Sequence, residues 1–407
     1  MENYSFLPVI VGTNINAYNM AISFYDAYRI KPIIVGRAPL AFTQYSNITS
    51  TQELNPALHT STVFVAFLRE IAKKYAKPKQ KLILIGTDDL YVEMIIANQK
   101  ELAQDFVFNY MSEALKEQVY IKKNFYELCE KHGLDTPNTY YYSCQSDEPF
   151  DEEVLFPVII KPSDGVQYYR NPFEGLQKIY KVDSYEEINR IIEMVKSGGY
   201  KEDLIIQDYI PGDDTYMWDA VYYGNQHGKG QVISFAQVAL QEHEMTAIGN
   251  YTALLTRFNE EMMTKLVDFC EAIGYKGFGN FDLKYDERDG KFKVFEVNIR
   301  QGRSSYYIDA CGQKMATLFV DDLIYQKDKP LTYIDKPMLF TVVPKYVLKH
   351  FVKDAKLTAE IKQLLKSGDY VNPLFYRYDN HFKRKLYLAA RQLNYVKKYR
   401  NSEWQGD

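Results

Sequence analysis

Cysteine is scarce. The four residues Cys129, Cys144, Cys270 and Cys311 are scattered along 407 positions and show neither metal-ligand nor redox spacing, so they read as reduced, mostly packed thiols of a cytoplasmic protein. No apolar run approaches the length of a membrane span. The opening Met1-Glu-Asn-Tyr-Ser has neither a basic leader nor a long hydrophobic region, and no signal peptide is expected. The glycine fingerprint of dinucleotide-binding domains is missing as well. Gly12-Thr-Asn-Ile-Asn after the first apolar strand supplies only its first glycine, which favours a tight turn without cofactor and argues against a dehydrogenase. Internal repeats and low-complexity segments are absent.

A chain of this length exceeds one hydrophobic core, and two or three domains are expected. Its 46% hydrophobic and 25% charged residues are ordinary for a globular protein, and the 36 tyrosines supply apolar area with a polar handle. The net charge of −4 conceals an asymmetry: from Phe340 onward fourteen Lys/Arg face six Asp/Glu. Because the positive charge is confined to that terminal region, a nucleic-acid-binding role is not expected.

Apolar segments at Phe6–Val11, Pro32–Val35 and Lys81–Ile85, separated by helical patterns, describe an open α/β domain over residues 1–118. Its third strand ends in Gly86-Thr-Asp-Asp89, at the carboxyl end where such sheets bind ligands. A helix from about Tyr120 to His132 follows, ended by Gly133. The strand Val154-Leu-Phe-Pro-Val-Ile-Ile160 delivers Lys161-Pro162 to the loop Ser163-Asp-Gly165. A further strand, Leu204–Ile210, is closed by Pro211-Gly212-Asp213-Asp214. Strands at Tyr216–Tyr223 and Gln231–Val238 complete a mostly antiparallel sheet. Residues 119–203 form a small subdomain, 204–335 a core, and 336–407 a basic extension.

The most informative stretch is the pair Gly279-Asn-Phe-Asp282-Leu-Lys and Val294-Phe-Glu296-Val-Asn298-Ile-Arg300, two strands joined by Asp286-Glu-Arg-Asp-Gly290. Glu296, Asn298 and Arg300 lie two apart and are expected on one face, with Asp282 on the adjacent strand. Two carboxylates and an amide oxygen form an all-oxygen site suited to Mg²⁺ held between protein and phosphates. Lys161, at the end of a very apolar strand beside a Ser/Gly loop, suits triphosphate neutralisation.

Taken in order, these pieces resemble the ATP-grasp superfamily, and more closely its carboxylate–amine ligases. The likeness covers roughly Tyr120 to Cys311. It implies an α/β (α+β) chain with the ATP-grasp fold: an N-terminal open α/β (pre-ATP-grasp) domain, an antiparallel sheet core and a helical basic C-terminal segment. By resemblance, Lys122 (or Lys123) and Lys161 contact the phosphates of ATP, with Ser163 in the adjoining loop. Gln207, Asp208, Tyr209 and Ile210 form the linker that pairs with adenine, and Asp214 (or Asp213) takes the ribose hydroxyls. Asp282, Glu296 and Asn298 match the Mg²⁺ ligands, and Arg300 matches a guanidinium over a developing acyl phosphate. There are two departures. The loop Ser163-Asp-Gly-Val-Gln-Tyr lacks a glycine-rich lid, and Asn280 stands where a subgroup has an Arg, leaving the oxyanion role to Arg300 or Arg303.

Gln237-Val-Ala-Leu-Gln-Glu-His243, Ile248-Gly-Asn-Tyr-Thr-Ala253 and Glu296-Val-Asn-Ile-Arg-Gln-Gly-Arg-Ser-Ser-Tyr-Tyr307 are similar to bacterial D-aspartate ligases, as is Pro8-Val-Ile-Val-Gly-Thr-Asn-Ile-Asn. That likeness implies an amino acid substrate, best matched by D-aspartate, and a peptidoglycan precursor whose lysine amine accepts it. Catalysis would rest on Arg300, Arg303 and Lys161. The set Gly302, Arg303, Ser304 and Ser305 would bind the amino acid, with Arg303 on its second carboxylate. Dimers are common among such enzymes. From His381 to Arg400, the residues Phe382, Leu386, Ala389, Leu393 and Val396 recur at helical spacing. This basic amphipathic helix either docks on an anionic membrane or packs its stripe on the enzyme, and packing is the expected use.

Overall fold

A computed structural model describes residues 5–170, 172–177, 179–244 and 247–402; the first four residues of the opening segment lie outside them. The described strands fall into three sheets. The first is parallel, with β1 (Phe6–Val11), β2 (Ile33–Gly36), β3 (Gln52–Leu54) and β4 (Lys81–Gly86) in the order β3-β2-β1-β4. Isoleucine, valine and leucine dominate β1, β2 and β4 because both faces are covered. Gly12 lies just past β1 with φ of 137°, and a Cβ there would fall 1.9 Å from Thr87 Oγ1. Close packing of the β1 and β4 ends therefore accounts for this glycine.

The second sheet is antiparallel: β5 (Thr139–Ser143), β6 (Val158–Pro162), β7 (Tyr180–Val182) and β8 (Asp203–Asp208), in the order β5-β8-β6-β7. Together with the helix Tyr185–Ser197 it holds a hydrophobic core of its own. Residues 154–157, expected within β6, precede it. The loop after Lys161 turns into a short helix, Gly165–Arg170.

The third sheet is the largest. Its main order is β13 (Lys291–Asn298), β12 (Gly277–Asp286), β9 (Met217–Gly224), β10 (Gly230–Gln241), β11 (Tyr251–Arg257), β15 (Leu339–Thr341) and β16 (Tyr370–Val371), with β14 (Thr332–Tyr333) beside β10. Two strands from the 336–407 extension thus belong to this sheet. One hydrophobic core lies on each of its faces, and both cores include residues of the first sheet.

The extension ends in the helix Phe382–Arg400. Its buried face is Arg384, Leu388, Tyr395 and Tyr399, and of the stripe expected to pack on the enzyme only Val396 is partly buried against the core. Phe382, Leu386 and Leu393 are 71%, 56% and 73% exposed, and Ala389 is exposed too. The buried face is anchored through polar groups. Arg384 Nε lies 3.0 Å from Asp379 Oδ2 with both side chains fully buried. Asp379 also accepts from the Tyr18 hydroxyl, Ser46 Oγ and the Asn47 N–H, at 3.0, 2.8 and 2.8 Å. The pair fastens the extension to the N-terminal domain.

Candidate active site

Antiparallel register sets the centre of the site. Asp282 of β12 stands opposite Glu296 of β13 on one side and Asp219 of β9 on the other. Residues paired across strands share a face, so three carboxylates form a row, an arrangement that repels unless something positive enters it. Asp219 is fully buried and accepts from Asn280 Nδ2, Ser304 Oγ and Tyr307 OH at 2.7, 3.0 and 3.0 Å. Burial pushes its carboxyl up to about 6 against those donors. Asp282 is held well above the usual carboxylate range, by enclosure in protein first and by Glu296 and Asp219 next. Asn298, at the end of β13, donates from Nδ2 to Asp282 Oδ2 at 3.1 Å and accepts on Oδ1 from Arg300 Nη2 at 3.3 Å.

Facing this row are two lysines. Lys122 opens the helix Lys122–Lys131, and its Nζ lies 2.6 Å from Glu296 Oε2. Burial opposes its charge, but Glu296 more than compensates and raises its pKa. Lys123, the alternative, instead places its ammonium 5.3 Å from the Tyr141 ring centroid. Lys161 ends the apolar run of β6 and donates to Gln207 Oε1 at 2.9 Å, while Gln207 Nε2 donates to Thr139 Oγ1 at 2.7 Å. Burial, with Lys122 adding to it, lowers Lys161 to about 7.

Lys122 neutralises only one carboxylate of the row, and Lys161, held low by burial, would regain its charge beside a phosphate. A divalent ion carried on a polyphosphate supplies cation and phosphate together. Among the described residues no three His, Cys, Asp or Glu side chains gather to hold a metal by themselves. Two carboxylates and an amide suit an ion whose remaining ligands come from phosphate and water. Asp282, Glu296 and Asn298 would hold it, with Lys122 and Lys161 on the phosphates. A consequence concerns protons. Binding of metal-free ATP should take up a proton on Lys161, so affinity falls as pH rises above about 7, by at most about tenfold per unit. Calorimetry in two buffers of different ionisation heat, with chelator present, reads this directly. A binding heat independent of buffer would contradict it.

The other expected groups take several positions. Ser163 sits at the end of β6 with its hydroxyl 3.4 Å from Tyr200 OH. In the linker, the N–H groups of Asp208 and Tyr209 donate to Asn138 O and Pro157 O. Asp208 Oδ2 accepts from Asn138 Nδ2 at 2.8 Å, and its Oδ1 is buried without a hydrogen-bond partner. The Tyr209 ring lies 3.9 Å from Lys181 Nζ, and Ile210 is buried. Asp214 turns inward, accepting from Gln241 N, Gln241 Nε2 and His243 Nε2 at 3.1, 2.8 and 3.0 Å. Asp213 caps the short helix Asp214–Tyr216.

Arg300 lies past the end of β13, so the strand alternation stops short of it. It still joins the site, because Asn298 holds it and Asp89 of the N-terminal domain accepts from Nη2 at 3.0 Å and pairs with the guanidinium, its Oδ1 lying 3.0 Å from Nε. Asp89 begins a helix directly after β4, and the neighbouring Asp88 is pushed up to about 6 by burial. In the following loop, Ser304 Oγ donates to Asp219 at 3.0 Å and Ser305 Oγ accepts from the Gly302 N–H at 2.8 Å, so both side chains are engaged inside the protein. Arg303 reaches elsewhere. Its Nη1 lies 3.0 Å from Glu242 Oε1, which also accepts from Tyr395 OH at 3.0 Å, while Arg303 Nε is buried without a hydrogen-bond partner.

Gly302 is required for contact. A Cβ there would fall 2.0 Å from Asn280 Oδ1, whose amide is fixed by Asp219. Gly302→Ala should therefore displace Asn280 at a cost of about 1–3 kcal/mol, seen as a lower Tm together with reduced turnover. An unchanged Tm would show that the loop absorbs the methyl group.

Sequence reasoning missed Asp219, Glu242, Asp89 as the partner of Arg300, and Tyr395. A signal existed for Asp219 alone: a charged residue within the apolar run Trp218-Asp-Ala-Val-Tyr-Tyr223.

No protein-family model matches the chain. A D-aspartate ligase of Enterococcus faecium is 32% identical over 98% of this chain and 97% of its own length. Among solved structures, an L-amino acid ligase from Bacillus licheniformis superposes with a TM-score of 0.55 at 15% identity, covering 80% of this chain and 75% of that one. The N5-carboxyaminoimidazole synthetase of Staphylococcus aureus complexed with ADP gives 0.57 at 11% identity, covering 82% and 81%. These structures share the ATP-grasp fold expected above, and the sequence likeness spans nearly the whole chain. The protein belongs to the D-aspartate ligase family of ATP-grasp carboxylate–amine ligases.

Proposed function

We propose that this ligase activates D-aspartate with ATP and Mg²⁺ and joins it to the lysine side chain of a peptidoglycan precursor. The observation that carries the chemistry is the row Asp219–Asp282–Glu296 set against Lys122 and Lys161. Phosphoryl transfer needs cations around the transferring group, placed before reaction begins. Mg²⁺, when bound, draws charge from the phosphate oxygens. Lys122 and Lys161 neutralise the remaining phosphate charge, and Arg300 lies beside Asn298, where an acyl oxygen would develop charge. Attack of the amine on the acyl phosphate then expels inorganic phosphate and forms the amide.

The pair Arg303–Glu242 supports an amino acid as the donor. It presents one charge of each sign 3.0 Å apart, complementary to a carboxylate and an ammonium. Beyond Asp88 and Asp89, a cavity of about 400 Å³ opens at the carboxyl ends of the first sheet, bordered by Thr13, Asn14, Arg37 and Tyr91. It provides an approach for the acceptor amine. The D-aspartate assignment itself rests on the 32% identity to the Enterococcus faecium enzyme.

The test is phosphate release from ATP and Mg²⁺ with D-aspartate, L-aspartate, D-alanine or D-lactate, each with and without a lysine-containing muramyl-pentapeptide precursor. Turnover should require D-aspartate and the precursor together, and the product should gain one aspartyl mass. Turnover with another pair would keep the ligase and discard these substrates.

A further inference from the structure

The helix Phe382–Arg400 is held on one side and bare on the other. Arg384, Leu388, Tyr395 and Tyr399 are buried, and hydrogen bonds from Tyr395 to Glu242 and from Tyr399 to Gln241 O fix the rotation of the helix about its axis. At about 100° per residue, Phe382, Leu386, Ala389 and Leu393 fall within an arc of about 60° facing away from the protein. Leu393 and Phe382, at 73% and 71%, are more exposed than any other large hydrophobic residue among those described. Lys385 and Lys397 flank this arc on either side, and both are exposed. Arg400 continues it at the carboxyl end, where it donates to Tyr346 OH.

An apolar stripe bordered by lysines, on a helix that cannot turn the stripe inward, fits a surface that is oily beneath and negatively charged on top. We infer that this face docks on an anionic lipid bilayer, seating Phe382, Leu386 and Leu393 among the acyl chains and the lysines among the headgroups. Charge decides between occupants. A second copy meeting the same face across a two-fold axis would bring lysine rows together. Three large side chains also offer far less area than the roughly 800 Å² per partner of a stable interface. The surrounding segment, with fourteen basic against six acidic residues from Phe340 onward, is attracted to anionic lipid and repelled by itself.

The experiment is co-sedimentation of the full chain with vesicles of phosphatidylglycerol and phosphatidylcholine, and with phosphatidylcholine alone, at low and high salt. Wild type should bind the anionic vesicles and lose binding as salt rises. Leu386→Glu with Leu393→Glu, and separately Lys385→Glu with Lys397→Glu, should each weaken binding at least about tenfold. ATP turnover in solution should stay unchanged, since all four side chains are exposed on the face of the helix away from Tyr395 and Tyr399, which hold it to the protein. Absence of wild-type binding to anionic vesicles, or equal binding by the variants, would overturn the proposal. So would a concentration-dependent dimer that the leucine variant abolishes without any vesicle binding.

Discussion

Glu296→Gln is expected to lower turnover about a thousandfold while the protein stays folded, and Asp282→Asn should do the same with one difference. Asp282 sits between two other carboxylates, and its pKa is raised well above the usual range by burial and by those neighbours. A carboxyl whose folded pKa is raised contributes most to stability below its unfolded pKa of about 4, and that contribution is lost as pH climbs through the folded value. Ionising this carboxyl in the nucleotide-free protein therefore costs stability, and Asp282→Asn removes that cost, with a gain that grows as pH rises. The Tm of that variant should rise in the absence of ligand. Glu296→Gln should not gain in this way, because it takes from Lys122 the carboxylate partner at 2.6 Å. Both variants should lose the stabilisation that wild type gains from ATP and Mg²⁺. Thermal melts with and without nucleotide, alongside phosphate release, separate these outcomes. Full activity in either variant would remove that residue from the metal site.

Arg384→Met should cost about 3–5 kcal/mol of stability, the usual effect of unpairing a buried ion pair. The guanidinium is fully buried, lies 3.0 Å from Asp379, donates to Phe42 O and Leu374 O, and sits 4.0 Å from the Tyr18 ring centroid. Its removal strands a carboxylate inside the interface between the extension and the N-terminal domain. Asp379→Leu alone should be similarly damaging. Combining it with Arg384→Met should recover a large part of the loss, because an apolar pair carries no desolvated charge. Denaturant unfolding of the three variants measures this. A single-variant loss below about 1 kcal/mol would mean that water reaches the pair.

How much of this was legible in the sequence depends on the range of the signal. Asp282, Glu296 and Asn298 were readable because a strand has a period of two and the hairpin joining them is short. Lys161 was readable because a lysine ending Val158-Ile-Ile is an anomaly. Arg300 lies beside Asn298, but the strand spacing does not put it there, since β13 ends before it and Asp89, 211 positions away, fixes its guanidinium. Asp219 enters the row only through the register of β9 with β12, which no local spacing encodes. Glu242 meets Tyr395 across 153 positions, again by tertiary packing. The terminal helix was read with its face reversed. Helical spacing reveals a stripe but not the direction it points, and here a polar anchor, Arg384 with Asp379, determined which side went in.

The central claim is that a carboxylate is activated by phosphoryl transfer at this site, and oxygen isotope transfer tests it most directly. D-aspartate labelled with oxygen-18 in both carboxyl groups would be turned over with ATP, Mg²⁺ and the lysine-containing precursor, and the released phosphate analysed by mass. Phosphate carrying one labelled oxygen per turnover is the predicted result, because cleavage of an acyl phosphate by the amine leaves that oxygen on phosphorus. Unlabelled phosphate, with amide still formed, would contradict the account.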